Sequence, residues 1–90
     1  MYVERVQTGV RMEKRLVKVL KALAEYHDLS LGELLEGIVL HAFDNRTPFG
    51  EPSLELIRKL KDVYGLDYGA EASHTLREAG GEGQGIGNRE

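Results

Sequence analysis

Arg5-Val6-Gln7-Thr8-Gly9-Val10-Arg11-Met12 decides the reading of this 90-residue chain. Val6, Thr8, Val10 and Met12 alternate with Arg5, Gln7, Gly9 and Arg11. A period of two is the pattern of a half-buried strand, one face apolar and the other polar. It predicts a strand over roughly Val3 to Met12, after a disordered lead-in at Met1 to Glu4. No second stretch of this quality occurs in the chain. A lone strand leaves its N–H and C=O groups unpaired, and the nearest partner is the same strand of a second copy. Gly9 offers no side chain to the row and reads as a point where another backbone or a ligand comes close.

Helical periodicity starts at once. Leu16, Leu20, Leu23 and His27 share one line, widened by Val17 and Ala24, which predicts a helix from about Glu13 to His27. Lys14, Arg15, Lys18, Lys21 and Glu25 fall largely elsewhere on it. Glu13 suits the positive end of the helix, and Asp28 suits a left-handed exit. Ser30 followed by Glu33 is a capping box that opens a second helix. Leu31, Leu34, Leu35, Ile38, Val39, Ala42 and Phe43 then form a stripe wider than one partner helix would cover. That width favours an intertwined dimer whose second helices cross at the centre.

Residues 1–45 therefore read as one small domain, and 46–52, with Pro48, Gly50 and Pro52, as a linker. Residues 53–79 read as a helical extension. Leu54, Ile57, Leu60 and Tyr64 set a third helix from about Ser53 to Tyr64, with Gly65 as its stop and Leu66 beyond. Ala70 to Ala79 could add a short helix of thin apolar content. Residues 80–90 hold five glycines and read as a disordered tail.

The net charge of −3 hides a division along the chain. Residues 1–27 carry six basic against three acidic side chains, whereas residues 28–90 carry six against twelve. A local field of this kind steers a partner better than the total does. An outward-facing Arg11 can pair bidentately with guanine, and Gln7 with adenine, each good pair being worth about 1–3 kcal/mol of discrimination. With no cysteine there are no disulfides or thiolate metal sites. His27, His41 and His74 lack metal-ligand spacing, and the Gly80 to Gly87 run follows no strand, so neither a metal, a cofactor nor an enzyme is expected. No apolar run is long enough to span a membrane, and no signal-peptide core is evident, so a cytoplasmic protein is expected.

In its order of strand, helix and helix, the chain over residues 3–44 resembles the ribbon-helix-helix repressors of the Arc and MetJ type. The resemblance rests on the alternating strand, the Leu16/Leu20/Leu23/Ala24 helix, the turn Asp28-Leu29-Ser30 and the helix from Ser30 to Phe43. It implies a mainly α fold class: a ribbon-helix-helix homodimer whose N-terminal strand pairs across the dimer, here with an extra C-terminal helix. It implies a sequence-specific, DNA-binding transcriptional regulator, expected to be a repressor, that lays a two-stranded ribbon in the major groove of double-stranded DNA. On this likeness Gln7, Gly9 and Arg11 contact bases, and Arg5, Lys14, Ser30, Leu31 and Gly32 contact phosphate. Val6, Thr8, Val10, Leu34, Leu35, Ile38 and Val39 form the dimer core. Two positions depart from the pattern: Gly9, where a hydrogen-bonding side chain is usual, and Asp28, where glycine is common. The alternative is an antitoxin-like interaction module, whose residues 53–79 would wrap a protein partner.

Overall fold

Leu23 sits at the centre of the chain, with only 1% of its surface exposed. It lies on α1 (Lys14–Tyr26), the first of three helices in the computed structural model, which describes residues 1–79. α2 (Leu31–Phe43) and α3 (Glu51–Tyr64) follow, and a single 3-10 turn spans Ala70–Ala72. α1 packs against both of the other helices. Leu23 and Ala24 of α1 meet Leu34 of α2, and Leu20, Ile38, Phe49, Leu56 and Ile57 close around them. Val19 and Leu66 are the other buried apolar side chains. The expected α1 line is thus shifted: Val19 is buried, whereas His27 is exposed and caps the helix end.

The expected strand and ribbon-helix-helix fold class are not what the chain forms. Among the described residues there are helices and one 3-10 turn, but no strand or sheet. Residues 1–13 have no regular secondary structure. Alternation marks which side chains could share a face, but a strand exists only through ladder hydrogen bonds to a neighbour. Within one chain nothing supplies that neighbour, and Val6 and Val10 remain 79% and 73% exposed. The mainly α content and the extra C-terminal helix do agree with the sequence reading.

The helix starts follow local chemistry. Glu13 is the N-cap of α1, and its carboxylate accepts the Arg15 N–H at 3.1 Å. The capping box at α2 is complete: Glu33 N–H donates to Ser30 Oγ at 3.1 Å, and Ser30 N–H donates to the Glu33 carboxylate at 2.9 Å. α3 begins at Glu51, two residues before the expected Ser53, because Pro52 is tolerated in a first turn where its missing N–H has no partner to lose. The linker is not merely a spacer, since Phe49 packs on the core. The expected tail, residues 80–90, lies outside the described residues.

All three helices end in one motif. The N–H of Leu29, Arg46 and Leu66 reach back to the carbonyls of Ala24, His41 and Lys61 at 2.9, 2.8 and 2.8 Å. Asp28, Asn45 and Gly65 supply the left-handed residue, at φ of 58°, 58° and 70°. These are Schellman closures. Asp and Asn tolerate the left-handed region but carry a Cβ penalty that glycine lacks. Asp28→Gly is therefore expected to raise stability by about 0.5 kcal/mol, and Gly65→Ala to lower it by about 1 kcal/mol. Thermal melting of the two variants should move the midpoint in opposite directions; a lowered midpoint for Asp28→Gly would contradict the assignment.

Candidate nucleic-acid interface

The N-terminal segment runs along the helices without joining a sheet. Its exposed guanidinium groups find carboxylates on two different elements. Arg5 donates through Nε and Nη2 to the two oxygens of Glu36 on α2, at 2.8 and 2.7 Å. This fork holds the Arg5 pKa above, and the Glu36 pKa below, their ordinary values, chiefly through the hydrogen bonds themselves. Arg11 pairs instead with Glu78, beyond α3. Gln7, Thr8 and Gly9 lie exposed between these two tethers. Beyond Gly9 and its two chain neighbours, nothing in the chain lies within 4 Å of where a Gly9 Cβ would stand. Further along, Val10 and Met12 reach over the gap between α1 and α2. With Val17, Leu20, Leu31 and Leu35 they line an apolar cavity of about 420 Å³.

Lys14, Lys18 and Lys21 are exposed on α1, so the basic charge continues from the segment onto the helix. Lys18 lies 5.6 Å from the Tyr64 ring centroid, a cation–π arrangement. At the start of α2, Ser30 and Glu33 satisfy each other, leaving Leu31 and Gly32 as first-turn N–H donors without an intramolecular partner. The Glu33 carboxylate stands at the same terminus and lessens its pull on an anion. Of the positions expected to form a dimer core, Leu34 is buried, Leu35 and Ile38 are half-buried, and Val6, Thr8, Val10 and Val39 are exposed in the single chain.

The entrance to α1 is pinned by a cluster that no local pattern announces. Tyr68 Oη donates to Glu13 Oε1 at 2.6 Å across 55 residues of chain. Arg15 donates to the same carboxylate at 3.1 Å and to the Gly65 carbonyl at 2.7 Å. Its guanidinium carbon lies 5.6 Å from the Tyr68 ring centroid, and Asp67 stands 3.7 Å from Nη1. The Tyr68 hydrogen bond, followed by the Arg15 backbone N–H, lowers the Glu13 pKa. Burial, followed by the same hydrogen bond, raises that of Tyr68. Sequence reasoning missed Tyr68, Glu36 and Glu78, because partners 31 to 67 residues apart leave no periodic signal. The one hint was Gly65 with Leu66 beyond it, which marks a chain turning back.

A second cavity, of about 220 Å³, lies between α2 and the α2–α3 loop, with His27, His41 and Phe49 on its wall. His41 Nδ1 lies 2.8 Å from the Gly37 carbonyl and donates to it, since a carbonyl can only accept. His27 Nε2 lies 3.1 Å from Ser53 Oγ. Among the described residues, no group of three or more His, Cys, Asp or Glu side chains could hold a metal ion. No helix among them is long and apolar enough to cross a membrane.

No protein-family model, curated protein or solved structure matches the chain.

The lowered Glu13 pKa carries a sign. A carboxylate depressed in the folded state adds stability that is present above its unfolded value of about 4.3 and is lost as pH falls through the folded value. Glu13→Gln should therefore melt below the wild type at pH 7, and the difference should shrink to nothing on acidification to about pH 2. A gap that persists unchanged at acid pH would show that the carboxylate charge is not what Tyr68 and Arg15 hold.

Proposed function

We propose that the chain is a homodimeric, DNA-binding transcriptional regulator whose basic N-terminal third contacts the duplex. The observation that carries this reading is the exposure of that charge. Arg5, Arg11, Lys14, Lys18 and Lys21 are all exposed and lie along the N-terminal segment and the helix it leads into, while the acidic excess belongs to the rest of the chain. Gln7 and Arg11 are the side chains able to read base edges, and Arg5, Lys14 and the lysines of α1 suit phosphate. Leu31 and Gly32 offer their free N–H groups to a phosphate, whereas Ser30 is occupied by its cap.

The proposed dimer follows from what one chain leaves uncovered. Only five apolar side chains are buried among the described residues, whereas Val39, Leu40 and Phe43 of α2 stay open to solvent, as do Val6 and Val10 of the segment. A chain this small gains stability by burying such surface against a second copy. The alternative, an extension kept free to wrap a protein partner, is less favoured. α3 turns Leu56 and Ile57 onto the core of its own chain.

Selection from a random duplex library, with wild type and Arg11→Ala in parallel, tests DNA reading. A recovered motif that degrades in the variant is the expected result. A motif equally sharp in both would remove Arg11 from base recognition, and no enrichment with either would overturn the function. Binding should weaken steeply with salt, since phosphate contacts release counterions. For the dimer, Phe43 is the informative position, because it is 80% exposed in one chain. Phe43→Ser should leave the helices intact by circular dichroism and shift sedimentation from dimer to monomer; an unchanged sedimentation coefficient would move the interface elsewhere.

A further inference from the structure

Residues 65–79 do not trail away from α3. Leu66 is buried, Tyr68 is hydrogen-bonded to Glu13, and Arg15 holds the Gly65 carbonyl at 2.7 Å. These contacts turn the chain back along the start of α1. From there it reaches Arg11, where Glu78 meets the guanidinium. The segment carries three acidic side chains against one basic, Arg77, and so brings negative charge to the basic N-terminal third. The anchor is made of partly buried groups, whereas the Arg11–Glu78 pair at its tip is exposed, with side chains 80% and 49% accessible. A firm anchor with a loose tip is an arrangement in which the tip contact can part without the fold opening.

We infer that residues 65–79 carry an intramolecular competitor for Arg11: the Glu78 carboxylate competes with DNA for the guanidinium. The inference rests on the DNA-binding reading above and adds a regulatory contact to it. The chemistry is direct competition. A carboxylate offers the guanidinium two acceptor oxygens, as a phosphate does and as guanine does with O6 and N7. Glu78 engages Nη2 of Arg11, and a base edge or phosphate that uses this donor competes with the carboxylate for it. An exposed ion pair is weak and screened by salt. The competitor therefore sets a threshold for binding rather than an absolute block.

The test uses the full chain and two readouts, one of them independent of DNA. Arg11 reactivity toward phenylglyoxal, followed by mass spectrometry, reports whether the guanidinium is engaged, with Arg5 on Glu36 as the internal reference. Glu78→Gln should raise the Arg11 rate and leave that of Arg5 unchanged. Tyr68→Phe, which loosens the anchor, should act in the same direction. Glu71→Gln removes the same charge from the same segment without touching Arg11, and should change nothing. An Arg11 rate equal in wild type and Glu78→Gln overturns the inference. In duplex binding at low salt, Glu78→Gln should tighten affinity by about two- to five-fold, as expected for release from an exposed pair. The gain should disappear in the Arg11→Ala background. A gain matched by Glu71→Gln, or kept without Arg11, would reduce the effect to general charge and overturn the competition. A raised Arg11 rate with no duplex binding by any variant would overturn the DNA reading and the competition with it, while leaving the engaged arginine as a measured fact.

Discussion

The contact of Leu23 and Ala24 with Leu34 is what the rest of the structure depends on. It makes α1 the shared wall of the fold, with α2 on one side and α3 on the other. Apolar burial is the main favourable term in folding, and here it is concentrated at a single meeting point. Leu56, Ile57 and Phe49 arrive there from beyond the second helix, so the extension completes the core that the first two helices begin. The same geometry leaves Val39, Leu40 and Phe43 of α2 open to solvent in the single chain.

Glu13 joins the two ends of the described chain. One carboxylate caps α1, accepts the Tyr68 hydroxyl and pairs with Arg15. The basic segment leading into α1 and the acidic segment returning from α3 are therefore tied at one residue. Charge that is separated along the sequence becomes adjacent in space. The electrostatics of the N-terminal face are then set by the fold as much as by composition, since Arg5 and Arg11 each spend their guanidinium on a carboxylate from a distant element.

Much of the helical framework was legible. The 3.6-residue stripes, the Ser30/Glu33 box and the Gly65 stop act over one or two turns, so a linear reading finds them. Asp28 was correctly placed at a left-handed exit for the same reason. The strand was misread because alternation is local but pairing is not. Val6, Thr8, Val10 and Met12 satisfy the pattern, yet none of it creates a neighbour to bond with. Val19 fell outside the expected stripe because α1 packs against α3 as well as α2, which widens its buried face beyond what periodicity against one partner anticipates. Phe49 was hidden in a segment whose prolines and glycine announced only a break.

The sequence by itself determined where helices start and stop, which of their faces are apolar, and that basic charge gathers in the first 27 residues. Those properties depend on neighbours within a few positions. Only the tertiary structure decided that the N-terminal segment lies unpaired, that the extension closes the core, and that Glu36, Tyr68 and Glu78 meet Arg5, Glu13 and Arg11. The reason is physical: a hydrogen bond or an ion pair between distant residues exists only after hydrophobic packing has fixed the path of the chain that brings them together.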